Sequence, residues 1–464
     1  MKSLKNILME MLQSRKCQKA ALAVMISLFI YWIFPVSAGE APRRMAFIFT
    51  FAALSWAMEI IPLYTTGFLV VLLEMFLLCR PGGALGTSAA DYKIFMLPFG
   101  SPIIMLFLGG LVTATALHKY ELDHIIANKL LKLFGSKPYT IMLGFMFTTA
   151  FLSMWMSNTA TTAMMIAMVV PLLKQIDNDD PFKKGIVLSI PFAANIGGIG
   201  TPVGTPPNAI ALGILADQGV HLSFTSWMVM AVPLALVLLF IASVILYKVF
   251  PPQKEEVVLK LTENPRVTRQ SKMTAIVAVV TILLWLTSAF HKIPSAMVAL
   301  LAVGLFFGLH LLDHNDLKKI DWHVLVLMWG GLALGKGLDV SGLTTWLVGL
   351  DVFNQTGLVL VVAFSFLGLV LGTFMSHTAT ANLLIPIVLA LPGENSVFLA
   401  ITISLACSFA MALPISTPPN AIAFATDTIH IRDMIRTGAL ISIISFLALL
   451  AGFQFVITKV FGLG

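Results

Sequence analysis

Charge is scarce in this sequence. Only 11% of its 464 residues are Asp, Glu, Lys or Arg, while 58% are hydrophobic. A soluble globular chain carries about 25% charged residues, so an ordinary water-facing surface is excluded. Cysteine is scarce too: Cys17, Cys79 and Cys407 lie far apart with no C-x-x-C pair. That excludes a disulfide framework and a cysteine zinc site. There is no H-E-x-x-H and no histidine-rich metal spacing. Ser376 and His377 are adjacent, so on a helix they point about 100° apart and cannot pair as nucleophile and base. The chain does not read as an enzyme. Long polar stretches are missing, apart from Phe250 to Lys272 (FPPQKEEVVLKLTENPRVTRQSK). No soluble domain fits.

Apolar runs fill the rest, and the mean hydropathy is +0.94. Ala20 to Val36, Met228 to Tyr247 and Thr274 to Phe290 are examples. Each can cross a hydrocarbon core of about 30 Å at ~1.5 Å per residue. The fold class expected is an all-α polytopic membrane protein. Full spans are predicted at 20–36, 45–61, 63–79, 102–118, 186–214, 224–249, 273–290, 294–312, 322–338, 396–427 and 437–459. The Met1–Ala38 stretch has the outline of a signal peptide, but its apolar run is long and it reads as a retained first span. The stretches 139–173 and 356–391 are too long for one helix and are interrupted by polar clusters. They read as re-entrant hairpins, one from each side.

Eleven spans with a cytoplasmic N-terminus put the C-terminus outside. On that topology 22 of the 29 Lys and Arg residues are cytoplasmic, leaving Arg43, Arg44, Arg80, Lys93, Lys292, Lys336 and Lys459. This is the positive-inside asymmetry. It accounts for the net charge of +7 without a nucleic-acid partner. The organisation expected is a cytoplasmic N-terminus 1–19, a first half 20–249, a cytoplasmic linker 250–272 and a second half 273–464. The site of action is the inner (cytoplasmic) membrane, with lipid as surroundings.

The halves repeat one another. Ser157-Asn158-Thr159-Ala160-Thr161 answers to Ser376-His377-Thr378-Ala379-Thr380, 219 residues later. Thr205-Pro206-Pro207-Asn208-Ala209-Ile210-Ala211 recurs unchanged from Thr417 to Ala423, 212 residues later. The hairpins enter from opposite sides, so the repeats are inverted, as in many secondary transporters. Each Ser-x-Thr cluster sits where two half-helices meet. A half-helix starting there offers free N–H groups and a positive dipole end, suited to carboxylate oxygens. The preceding half-helix ends in free carbonyls, which suit a cation. Unpaired backbone is tolerated at that depth only where it is buried or lines a polar cavity. The Pro-Pro pairs, with Pro207 and Pro419, break a span opposite each tip. The cluster Gly197-Gly198-Ile199-Gly200 and Gly204 precedes the first pair.

At these residues the chain resembles the divalent anion:sodium symporter family, the dicarboxylate and citrate transporters of the solute-carrier-13 type. The resemblance covers essentially the whole chain. It is strongest at Ser153 to Thr161, at both Thr-Pro-Pro-Asn-Ala-Ile-Ala segments, and at Trp56-Ala57-Met58-Glu59-Ile60-Ile61-Pro62. The resemblance implies a homodimer of scaffold and mobile transport domains, with elevator-like displacement of a small dicarboxylate. It assigns substrate to Asn158, Thr159, Ser376 and Thr378, with His377 standing where sodium-coupled members have Asn. It assigns a first Na⁺ site to Ser153, Ser157, Asn158 and Gly198. Four residues before Ser376 stands Gly372, where the first half has Ser153. The second half thus lacks a hydroxyl and an amide, so one Na⁺ site is favoured. His377 then acts either as a protonated substitute for the second cation or as a neutral donor to substrate. The first reading makes H⁺ a partner and has transport rise as pH falls toward ~6. A Na⁺-independent dicarboxylate or citrate exchanger, with His377 replacing a sodium charge, is the alternative function; a channel or an intramembrane enzyme is a remote one. Glu59 and Glu74 are intramembrane candidates, Glu59 as a cap between the second and third spans. Lys336 reads as a snorkelling residue.

The topology is directly testable. Single cysteines placed after Val249 and at Gly464 should react from opposite sides of the membrane. Reaction from one side would break the eleven-span inverted arrangement.

Overall fold

The computed structural model describes residues 14–79, 84–85, 91–257, 265–350, 357–389 and 395–460. The N-terminal segment is thus described only from Ser14, and the linker only to Val257 and again from residue 265. The outer limits of the 356–391 stretch and the terminal Gly464 lie outside the described residues. Among those residues every regular element is helical.

The first half comprises α1 (Arg15–Ile33), α2 (Glu40–Ala57), α3 (Leu63–Glu74, continued by a π turn to Cys79), α4 (Pro102–Lys119), α5 (Leu122–Leu131), α6 (Pro138–Ser153), α7 (Asn158–Leu173), α8 (Phe182–Gly198), α9 (Pro206–Asp217) and α10 (Phe224–Val249). The second comprises α11 (Arg269–Leu286), α12 (Ser295–Gly308), α13 (Trp322–Val340), α14 (Gly357–Phe374), α15 (His377–Leu389), α16 (Asn395–Ser408), α17 (Pro418–Phe424) and α18 (Ile431–Val460). Helix starts are written in the sequence. Ser101, before Pro102, accepts from the Ile104 amide, and Ser223 accepts from Ser226. Thr268 and Ser271 form a reciprocal capping box at α11.

Six apolar helices are long enough to cross a bilayer by themselves: Arg15–Ile33, Lys93–Lys119, Phe224–Val249, Arg269–Leu286, Trp322–Val340 and Ile431–Gly452. That count is of the described residues; the other expected crossings are polar at one end or made of two helices. Glu40, Arg43 and Arg44 make the start of α2 polar, with Glu40 bonded to both arginines. The stretches 186–214 and 396–427 are each two helices, α8/α9 and α16/α17. The pairs α6/α7 and α14/α15 meet at 154–157 and 375–376. At 16 residues each, α6 and α7 are about 24 Å long, short of a hydrocarbon core.

The halves interlock. Helix α7 packs on α17, and α15 packs on α9, so each helix pair leans on the broken helix of the other half. The largest core cluster joins α6–α10 with α14–α16 and α18, and it also takes in residues of α4, α11, α12 and α13. Separate clusters join α2, α3 and α13, and α4, α11 and α12. Close approach needs glycine: a Cβ at Gly197 would lie 2.3 Å from the Ala150 carbonyl oxygen. The Trp56 segment closes the α2–α3 junction. The Trp56 indole donates to the Leu63 carbonyl at 3.0 Å, and Glu59 takes a left-handed φ of 46°.

Candidate functional site

Four helix starts converge on one cavity of about 570 Å³. Ser157, Asn158 and Thr159 line it at the start of α7, and Ser376, His377 and Thr378 at the start of α15. Thr205 and Pro206 contribute from α9, and Thr417, Pro418 and Pro419 from α17. Pro207 lies off the cavity wall, buried behind Pro206. The Ser157 hydroxyl caps α7 by accepting from the Ala160 amide at 3.2 Å. The remaining amides at the starts of α7 and α15, with the Thr hydroxyls, form an environment for anionic oxygens.

Ser153 and Gly198 lie beneath this wall. The Ser153 hydroxyl is 2.5 Å from Asn158 Oδ1 and 2.9 Å from the Ala194 carbonyl oxygen. A Cβ at Gly198 would sit 2.6 Å from Asn158 Oδ1, so the amide occupies space that only glycine leaves. All these groups are hard oxygen donors, the set that suits Na⁺ (by analogy with other hard cations). The repeat aligns Gly198 with Ala410 and Ser153 with Gly372. There His377 Nε2 donates to the Ala410 carbonyl at 2.9 Å. Thr373 is turned back onto its own helix, donating to the Leu369 carbonyl at 2.9 Å. The imidazole thus stands at the second position, and its Nε2 proton is spent on the backbone.

Several residues here went unnoticed in the sequence. Asn208 Nδ2 lies 3.2, 3.2 and 2.8 Å from the carbonyl oxygens of Gly198, Ile199 and Thr201. Asn420 Nδ2 lies 3.0 Å from those of both Met411 and Leu413. The two asparagines do the same work at aligned positions, cradling the carbonyls freed by each break. The Trp227 indole also donates to Ile199 at 2.9 Å, and Ser442 donates to Phe409 at 2.6 Å. Asn195 joins the halves, its Nδ2 3.4 Å from Thr417 Oγ1 and from Asn420 Oδ1. Ser404 donates to Asn208 Oδ1 at 3.2 Å. The invariance of Asn in the repeated heptapeptide was the available signal.

A match to the model of the sodium:sulfate symporter transmembrane region runs over residues 15–459. The chain belongs to the sodium:sulfate symporter family. Among members and relatives, the sodium-dependent dicarboxylate transporter SdcS of Staphylococcus saprophyticus is 30% identical over 449 residues, covering 88% of this chain and 85% of that one. SdcS of Staphylococcus aureus is 31% identical over 450 residues, with 88% and 84% covered. An uncharacterized transporter of Haemophilus influenzae is 33% identical over 423 residues, with 86% and 88% covered. The fold is shared with the Alcanivorax borkumensis YdaH transporter (TM-score 0.53, 14% identity, 86% and 98% covered). It is shared also with Neisseria gonorrhoeae MtrF (TM-score 0.52, 14% identity, 87% and 96% covered). As a symporter-family protein with many apolar helices, this is a multi-pass membrane protein.

Other polar residues sort by position. Glu59, Asp321 and His323 reach the mouth of the main cavity. A neighbouring recess of about 230 Å³ is lined by His118, Lys119 and Lys319 together with Ser157. Lys119 and Lys319 both bond the buried Asp316, at 2.5 and 3.0 Å. Burial pushes the Asp316 carboxyl up, but the two ammonium groups and the Asp313 amide outweigh it and hold it at about 2. It therefore stays ionised throughout the physiological range. Glu74 is fully buried away from the cavity, against Gly337. Lys336 reaches Asp339 at 3.5 Å.

Removing either cradle amide leaves buried carbonyls unpaired, at about 1–3 kcal/mol. Asn208→Ala and Asn420→Ala should each lower the melting temperature of the detergent-solubilised protein. Asn208→Asp, similar in shape but lacking the donor, should do so too. Unchanged melting in all three would show that other groups satisfy these carbonyls.

Proposed function

We propose that this chain carries small dicarboxylates of the C4 type (succinate, malate, fumarate) across the cytoplasmic membrane, coupled to Na⁺. The observation that carries the reading is that Asn158-Thr159 and Ser376-His377-Thr378 line one cavity at the starts of α7 and α15. A dicarboxylate has two anionic ends, and the cavity has two such helix starts. The names of the Staphylococcus relatives, sodium-dependent dicarboxylate transporters, support the same substrate class and coupling ion.

In this reading α6/α7 and α14/α15 are the re-entrant hairpins. With α8–α10 and α16–α18 they form a unit that moves against a scaffold of α1–α4 and α11–α13, elevator-like, in each protomer of a homodimer. On the expected topology the mouth residues Glu59, Asp321 and His323 lie on the cytoplasmic side, which supports reading this conformation as inward-open.

One Na⁺ binds at Ser153, Ser157, Asn158 and Gly198. No second ion is required at the second position, because the His377 ring already donates to Ala410. This same contact favours a second reading, a Na⁺-independent exchanger in which His377 permanently replaces sodium.

Thr159→Ala and Thr378→Ala should each weaken succinate binding by about 1–3 kcal/mol, the worth of a hydroxyl bond to a charged group. Melting should change little, since both residues face the cavity. Unaltered affinity in both variants would move the substrate elsewhere. His377→Asn restores an amide at the second position, and should steepen the Na⁺ dependence of transport measured at fixed succinate. An unchanged Na⁺ dependence would remove His377 from coupling.

A further inference from the structure

The outer helix pair touches the scaffold at a point that neither binds substrate nor packs like ordinary core. Asn382 lies on α15, five residues after His377, and is fully buried. Its Nδ2 donates to the Leu327 carbonyl of α13 at 3.1 Å. Its Oδ1 has no hydrogen-bond partner among the described residues. A Cβ at Gly331 would lie 1.8 Å from that Oδ1 and 2.1 Å from the amide carbon. The amide is therefore a polar knob seated in a notch that only glycine provides. At the next residue of this face, a Cβ at Gly335 would lie 3.5 Å from the Pro386 ring, an ordinary contact, so α13 and α15 are in register over a full turn.

The adjoining glycine faces the other way. A Cβ at Gly330 would lie 2.3 Å from Gly67 Cα on α3, which fixes α13 to the scaffold. The first half carries the same Gly-Gly-Leu on α4. There Gly109 meets Ala299 of α12, and Gly110 meets Val203 at the α8–α9 break. In each half one glycine serves the scaffold and its neighbour serves the substrate-binding unit. Only the second half places a polar side chain in the notch. A buried amide held by one bond to a mid-helix carbonyl is position-specific. Any slide of α15 along α13 breaks this bond.

We propose that Asn382, seated in the Gly331 notch, is the latch that holds the substrate-binding unit in the inward-open position. It is a positioning residue: it touches neither substrate nor ion and acts through α15 on the hairpin tip. The proposal rests on the reading that this unit moves against the scaffold. Gly335 offers clearance for Pro386 at the next turn, about 6 Å along.

The test uses the full-length chain in oriented vesicles, with native cysteines replaced and Thr115→Cys on α4 as reporter at the cytoplasmic cavity. The readout is its labelling rate by a membrane-impermeant maleimide from the cytoplasmic side. In the parent, saturating succinate with Na⁺ should change this rate. Asn382→Ala should lower it ~3- to 10-fold, by releasing the inward position. Gly331→Ala should lower it more than ~10-fold, because the methyl group and the amide cannot share the notch. The double variant should label like Asn382→Ala alone, since the added methyl group then meets no amide. If the parent responds to ligand but Asn382→Ala labels as the parent does, the latch is overturned and the moving unit stands. If the parent rate never responds to succinate, Na⁺ or their removal, the moving unit fails and the latch with it. Should Gly331→Ala not fold, the Asn382→Ala rate alone decides.

Discussion

The structure depends on one constraint: backbone groups freed inside a membrane protein must be paired by the protein itself. Two breaks, at 199–205 and 409–417, release carbonyls deep in the bundle. A buried carbonyl left alone costs several kcal/mol. Asn208 and Asn420 answer the constraint at aligned positions. Trp227 and Ser442 add a donor each. With the breaks held open, helix starts at Pro206 and Pro418 can face those at Asn158 and His377. The cavity follows from that convergence, and its anion-directed character follows from which helix ends converge. A polar centre of this kind persists only where the two halves interlock, as the Ser404–Asn208 and Asn195–Asn420 contacts do.

The two halves are alike in backbone and unlike in chemistry. The first places a hydroxyl, an amide and a carbonyl within reach of one point, using Ser153, Asn158 and Ala194. The second has a glycine for the serine and an imidazole for the amide, and the imidazole bonds the backbone directly. A cation and a ring N–H both satisfy a carbonyl oxygen, but only the cation can be loaded and unloaded.

Much of this was legible in the sequence because the repeat is exact where the backbone is most constrained. Thr-Pro-Pro-Asn-Ala-Ile-Ala marks the break and the restart of a helix, and both are local properties. The Ser-x-Thr clusters mark helix starts by ordinary capping chemistry, and they reach the cavity. The family could be named from the same residues. The remainder depends on contacts that periodicity does not report. The heptapeptide displays its prolines, yet Pro207 faces away from the cavity while Asn208 carries the break. Asn195 and Asn382 sit in apolar runs with no flanking signal, and their partners are 222 and 55 residues distant. The Gly330-Gly331 pair looks like ordinary membrane-helix glycine until the helix on each side is known. A length criterion alone passes over a crossing assembled from two short helices, as at 186–214, but the glycine cluster and the Pro-Pro pair there mark the break.

Net uptake tests the account most directly. Purified protein in vesicles free of internal dicarboxylate should accumulate labelled succinate when an inward Na⁺ gradient is imposed, and should stop when the gradient is removed. The account requires accumulation under these conditions, with a first-order dependence on Na⁺ if a single ion is coupled. If uptake appears only after the vesicles are preloaded with dicarboxylate, at every Na⁺ concentration, the coupled-symport account is wrong and the imidazole-substituted exchanger takes its place.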